Sequence, residues 1–123
     1  MNKREVWTRG EVAARSYLEK KGYRLLSENY AAKMGEIDLV MADGDVIVFV
    51  EVKARETRAY GEPIEAITPQ KVRKIATTAR YFLVQNRMLD RAVRFDVVEV
   101  LCGEVRHTEN AFTLNDAAKY LRY

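Results

Sequence analysis

The residues Val46-Ile47-Val48-Phe49-Val50 form an unbroken apolar run that ends in Glu51-Val52-Lys53. Side chains along a strand alternate between two faces, so a run with no polar alternation must be covered on both. A strand at the centre of an α/β sheet meets that condition. Upstream lies Gly35-Glu36-Ile37-Asp38-Leu39-Val40, and between the two segments is Asp43-Gly44, a short-hairpin signal. The spacing predicts antiparallel strands over about Glu36 to Ala42 and Val46 to Ala54.

Counting along this hairpin brings three charged residues together. Glu51 and Lys53 share one face, while Val50 and Val52 take the other. A two-residue Asp43-Gly44 loop would pair Asp38 with Phe49 and make Asp38 and Glu51 diagonal neighbours. A four-residue loop would pair them directly, and a three-residue loop would separate them unless a bulge restored the parity. Direct or diagonal neighbours have Cβ atoms about 5–8 Å apart. One divalent cation spans that gap, since oxygen ligands sit roughly 2.0–2.6 Å from Mg²⁺ or Ca²⁺. Two like charges buried beside an apolar strand are costly, and a cation or a paired lysine relieves them. Asp38 and Glu51 are therefore candidate metal ligands. Lys53 is a candidate to orient or deprotonate a water and to stabilise charge on a phosphate. In the simpler reading, Lys53 only neutralises the two carboxylates at a strand end.

With 123 residues, 48% of them hydrophobic, the chain suffices for a single globular domain over 1–123. No apolar stretch reaches the length of a membrane span and no secretory signal opens the chain, so a cytoplasmic protein without membrane contact is expected. Cys102 is the only cysteine, which excludes an intrachain disulfide and a cysteine zinc cluster. His107 is the only histidine and is expected at the surface. The net charge of +3 is unevenly spread: from Lys53 to Arg94 there are ten basic residues and four acidic ones. Basic charge directly after an acidic site suggests a polyanionic substrate, although a solvated helix face has the same composition.

Thr8 and Glu11 have capping-box spacing, with Trp7 and Val12 as a hydrophobic staple, so the first helix is expected to start at Thr8 and to stop at Gly22. A strand from about Tyr23 to Asn29 precedes the hairpin. A second helix starts with Thr68 as N-cap and Pro69 at its first position. Val72, Ile75, Ala76, Ala79, Phe82 and Leu83 form its buried stripe, which leaves Gln70, Lys71, Lys74 and Thr78 among its polar residues. A strand from about Ala92 to Leu101 and a short helix from Asn115-Asp116 through Tyr120 complete the expected order. The loop Arg55 to Gly61 adds Arg55, Arg58 and Tyr60 beside the carboxylates. Arginine forks suit phosphate oxygens, and tyrosine stacks on unpaired bases.

The blocks Gly35-Glu36-Ile37-Asp38-Leu39-Val40, Val48-Phe49-Val50-Glu51-Val52-Lys53-Ala54-Arg55 and Gly61-Glu62-Pro63 resemble the bacterial YraN-like family. The likeness extends through Lys71 to Tyr81 and Arg94-Phe95-Asp96-Val97. That family looks like a member of the PD-(D/E)XK restriction-endonuclease-like superfamily, similar in pattern to archaeal Holliday junction resolvases. Ile37 stands where the motif's proline would be, a dispensable position. The resemblance implies a three-layer α/β core with a mixed four-stranded sheet flanked by helices. It implies that Asp38, Glu51 and the Val52 carbonyl bind Mg²⁺ or Mn²⁺, with Lys53 as motif lysine. It also implies that Glu11 is a catalytic, metal-side acid rather than a cap. Arg55, Arg58, Tyr60, Gln70, Lys71 and Lys74 would then meet nucleic acid. The expected activity is endonucleolytic hydrolysis of DNA, branched or single-stranded. The alternative is an inert nucleic-acid-binding module that partners a helicase or another DNA-processing enzyme. Either reading is compatible with a homodimer.

Overall fold

A computed structural model describes residues 3–55 and 68–112. Helix α1 (Lys3–Lys20) leads into strands β1 (Arg24–Ala32), β2 (Gly35–Asp43) and β3 (Val46–Arg55). Helix α2 (Pro69–Gln85) then crosses to β4 (Val93–Leu101), which turns back into β5 (Glu104–Phe112). The five strands form one sheet in the order β1-β2-β3-β4-β5. Only the β3–β4 pair is parallel, and the other three pairs are antiparallel. Arg58, Tyr60 and the expected helix from Asn115 to Tyr120 lie outside the described residues, as does the side chain of Trp7.

The apolar β3 run sits at the centre, as its lack of alternation requires. Ile47 and Phe49 pack with the α2 stripe Val72, Ile75, Ala76, Ala79, Phe82 and Leu83. Val48, Val50 and Val52 pack on the other face with Ala14 and Leu18 of α1. Burying each large side chain here contributes roughly 1.5–3 kcal/mol. Helix α1 approaches β3 most closely at Gly10, where a Cβ would lie 2.3 Å from the Cβ of Ala54. At its end, Gly22 takes φ +99°. The Gly22 N–H donates to the Glu19 carbonyl and Tyr23 N–H to the Leu18 carbonyl, the paired bonds of a Schellman stop. The α2 cap also forms as expected, with the Lys71 N–H donating to Thr68 Oγ1.

Four expectations require correction. The sheet has five strands, not four. The residues of β5 are mostly polar and carry little hydrophobic signal, but Cys102 and Gly103 both take positive φ and close a tight two-residue hairpin. Phe112 then anchors β5 by stacking on Phe95, with ring centroids 4.8 Å apart. Helix α1 begins at Lys3, so Thr8 and Glu11 lie inside a helix and form no capping box. The hairpin loop is Gly44-Asp45, because Asp43 pairs with Val46; this one-residue shift gives the register of the four-residue alternative. Thr78 is fully buried, its hydroxyl satisfied by the Lys74 carbonyl at 2.7 Å.

Candidate active site

The β2–β3 ladder runs from Asp43↔Val46 to Leu39↔Val50, and one further step sets Asp38 opposite Glu51. There the backbone pairing stops and a side chain takes over: Asp38 Oδ2 accepts the Val52 N–H at 2.7 Å. Strand β2 is irregular at this point. Leu39 and Met41 face α1, yet Ile37 joins Val40 in the α2-side core. Across from Asp38, between the paired residues Glu28 and Tyr30, Asn29 holds φ +48°.

Glu51 Oε1 receives two ammonium groups, Lys71 Nζ at 2.8 Å and Lys53 Nζ at 3.3 Å. Asp38 receives none among the described residues, although both residues are only 9% exposed. Burial, and then the Glu51 charge, push the Asp38 carboxyl up to about 7 against the opposing Val52 N–H. Lys53 is held below the ordinary lysine range, first by burial and then by the neighbouring Lys71. For Lys71, burial is outweighed by its contacts with Glu51 and Lys53, which hold it above that range. The two lysines thus compete for one carboxylate, and Lys53 is the readier to give up its proton. Asp38, Glu51, Lys71 and Lys74 line a cleft of about 360 Å³ with Gly35, Glu36 and Ile75.

Glu11 on α1 lines a separate cleft with Arg15, Glu28 and Asn29. It is 7% exposed, and its Oε1 is buried without a hydrogen-bond partner. Burial raises its pKa, Asn29 opposes that through a hydrogen bond, and the Glu36 charge adds to it. The charges of Glu11 and Glu36 in turn act on Asp38. A carboxylate buried in a helix interior with an orphan oxygen is costly for stability, and the cap read from its spacing does not form because α1 begins at Lys3.

The other candidates divide. Gln70 and Lys74 are exposed on α2, and Arg55 is half-buried at the end of β3. Lys71, expected to meet nucleic acid, instead touches Glu51 directly. Glu99 was not foreseen. The parallel register sets it beside Lys53, and it is 7% exposed with a buried, unpartnered Oε1. Its signal was a lone acid within the apolar strand Val97-Val98-Glu99-Val100.

The opposite face of the sheet carries a second charged group, fully satisfied. Arg94 grips Asp96 with two bonds, at 2.9 and 3.1 Å, and also reaches Asp43 and the Tyr23 hydroxyl. His107 is not at the surface as expected: its side chain is 1% exposed, with Nε2 2.6 Å from Asp96. Lys21 Nζ lies 2.9 Å from His107 Nδ1. An ammonium can only donate, so Nδ1 accepts and Nε2 carries the proton toward Asp96. For Asp96, burial is outweighed by bonds from His107, Arg94 and the Asn110 N–H, which hold its carboxyl below the usual range. This group fastens the end of α1, the hairpin turn, β4 and β5 together.

Comparison with known proteins places these residues in a family. The profile of the uncharacterised protein family UPF0102 matches residues 10–100, most of the chain. The chain belongs to the UPF0102 family. A UPF0102 protein of Lachnoclostridium phytofermentans is 45% identical over 113 residues, covering 91% of this chain and 96% of its own. One from Clostridioides difficile is 41% identical over 114 residues, covering 91% and 100%. One from Pelotomaculum thermopropionicum is 47% identical over 109 residues, covering 84% and 91%. The UPF0102 match begins at Gly10, the close contact of α1 with β3, and runs to Val100 in β4. It therefore spans Glu11, Asp38, Glu51, Lys53, Lys71 and Glu99.

Proposed function

We propose that this UPF0102 protein is a Mg²⁺- or Mn²⁺-dependent endonuclease of the restriction-endonuclease-like type, acting on DNA. One observation carries the reading: Asp38 and Glu51 line one cleft with Lys71 and Lys74, and Lys53 lies against Glu51. The donor set fits a hard divalent cation. Glu11 offers an orphan carboxylate oxygen, and a cation would hold the Asp38 carboxyl, pushed up to about 7 by burial and Glu51, in its charged form. Among the described residues no three Asp, Glu, His or Cys side chains converge on one point. Mg²⁺ needs no such cluster, since it is often held by one or two carboxylates with water and substrate phosphate. When bound to Asp38, Glu51 and the Val52 carbonyl, the cation would supply charge stabilisation and a more acidic water.

The chain's own groups do the rest. The Asp38 carboxylate fixes the Val52 amide and with it the strand end. Lys53, held below its ordinary pKa, sits where it can take and return a water's proton. Lys71 leaves Glu51 for a phosphate oxygen as a stronger cation enters, and Lys74 with the Arg55 end of β3 extends the positive lining. The test is a cleavage screen of linear, flapped and four-way DNA with Mg²⁺ and with Mn²⁺. Cleavage of any substrate that Asp38→Asn abolishes supports the reading. A protein that binds DNA and cuts none of them is the inert binding module instead.

A further inference from the structure

The cleft at Asp38 and Glu51 opens along one flank of α2. Lys71, Lys74, Thr78, Tyr81 and Gln85 recur at steps of three and four residues, so they line a single edge of that helix. This edge faces the β1–β2 hairpin. A Cβ on Gly35 would lie 2.9 Å from Thr78 Oγ1, so only a glycine lets the hairpin come this close. At the far end, Gln85 bridges two tyrosines from different elements: Tyr30 Oη donates to Gln85 Oε1 at 2.6 Å, and Gln85 Nε2 donates to Tyr81 Oη at 3.0 Å. Tyr30 is itself braced edge-to-face on Phe82, with centroids 5.1 Å apart.

Tyr81 differs from its neighbours. It is 41% exposed and joins neither hydrophobic core. Its hydroxyl accepts from Gln85, which in turn accepts from Tyr30, so the ring stands at the surface with its hydroxyl already held. A rigid, exposed aromatic face suits a flat ligand, because the ordering cost is met before binding. The surroundings say which flat ligand. Helix α2 contains no acidic residue and carries Lys71, Arg73, Lys74 and Arg80. Glu36 is the one acid lining the cleft on the hairpin side apart from the site carboxylates. Two lysines on this edge, Lys71 and Lys74, followed by an exposed aromatic ring, match a backbone of phosphates carrying an unstacked base; Arg73 and Arg80 lie on the other flank.

We infer that the exposed edge of α2, from Lys71 and Lys74 at the cleft to Tyr81, binds single-stranded DNA, with one unpaired base stacked on Tyr81. The inference rests on the nuclease reading for the position of the reacting phosphate, and it names the substrate class of that site. Tyr81 lies ten positions beyond Lys71, or about 15 Å along a helix. At the 3.4 Å spacing of stacked nucleotides this is about four nucleotides from the phosphate held at Glu51, and fewer in an extended strand. The bases of a closed duplex are stacked on each other and cannot meet the ring, so duplex binding does not use Tyr81.

Binding without cleavage tests this. A fluorescent twelve-nucleotide oligothymidine and a blunt duplex of the same length are titrated with the whole protein by anisotropy in EDTA. Tyr81→Ala is expected to weaken single-strand binding roughly five- to a hundredfold, the range that loss of base–aromatic stacking gives. Tyr81→Phe keeps the ring and stays within about threefold of wild type, which also separates stacking from misfolding. Duplex affinity is the same in all three proteins. A strand carrying 5-bromodeoxyuridine crosslinks under ultraviolet light to the peptide containing Tyr81. Equal single-strand affinity of wild type and Tyr81→Ala, or wild-type protein that binds no single strand, overturns the inference. If the Tyr81 effect is present and no DNA is cut with Mg²⁺ or Mn²⁺, the nuclease reading fails and the single-strand site on α2 stands.

Discussion

Lys71 Nζ lies 2.8 Å from Glu51 Oε1, so the first turn of α2 sets a cation on a carboxylate within the central strand. Lys71 therefore competes with any metal for Glu51. Lys71→Met is expected to raise Mn²⁺ affinity by about two- to fivefold, the worth of a partly exposed ion pair. The same change lowers affinity for DNA. Calorimetry with Mn²⁺ alone, and anisotropy with DNA alone, separate the two effects.

Lys53 makes the longer and weaker contact with Glu51, at 3.3 Å. Lys53→Ala is expected to keep Mn²⁺ binding while lowering cleavage by at least ~10²-fold, the contribution of a group acting on the attacking water. A variant that cuts normally would leave Lys53 as a neutralising partner and nothing more.

Asp38 makes the stability of the metal-free protein depend on pH with a definite sign. Its carboxyl moves from an ordinary 3.8 up to about 7 on folding. Between these values the folded state binds a proton that the unfolded state has lost, so stability falls as pH rises from about 4 to about 7. The slope is at most about 1.4 kcal/mol per pH unit for one group. Asp38→Asn should flatten this limb and melt higher than wild type at pH 7. Asp96 has the opposite sign and a different window: its depressed pKa stabilises the fold above the ordinary carboxylate range and is lost below about pH 4. Both proteins should weaken together there. Melting curves taken at intervals from pH 3 to 8 with EDTA decide the matter.

Glu11→Gln removes charge but keeps shape. Glu11 lies well inside α1 and caps nothing, and one of its oxygens is buried unpaired. Stability is expected to hold or rise, and cleavage to fall severely. Full activity in a stable Glu11→Gln protein would remove Glu11 from the reacting site.

Gly10→Ala should cost about 1–3 kcal/mol of stability, as overpacking does, because the new Cβ would meet Ala54 at 2.3 Å on a rigid strand. Denaturant unfolding measures it, and an unchanged midpoint would mean that α1 shifts freely over the sheet.

The hairpin and α2 were legible because their signals are local: a glycine turn, Thr68-Pro69, and a stripe at helical spacing. The shared face of Glu51 and Lys53 followed from strand parity, whereas Asp38 lies where β2 breaks its alternation. Other features depend on tertiary contact. Thr8 and Glu11 have the spacing of a cap, yet the helix begins at Lys3 and continues through them. The Lys71–Glu51 pair depends on how α2 crosses β3, and no local pattern encodes that. Strand β5 alternates among polar residues, with Arg106 and Thr108 outside and His107 drawn in by Asp96. His107 read as a surface residue because its partner lies on another strand.

The single parallel pairing, β3 with β4, separates early contacts from late ones. The β1–β2–β3 meander and the β4–β5 hairpin join neighbours in the chain, whereas β3 and β4 meet only after the whole α2 segment has been folded back between them. Non-local pairings of this kind form slowly, because loop closure precedes any gain. Asp38 and Glu51 already face each other in the meander, where water screens their repulsion. Docking of α2 and β4 shuts out that water and delivers Lys71 in the same event. The repulsion therefore grows only as its counter-ion arrives, and a half-assembled chain carries the carboxylates without the environment that makes them reactive.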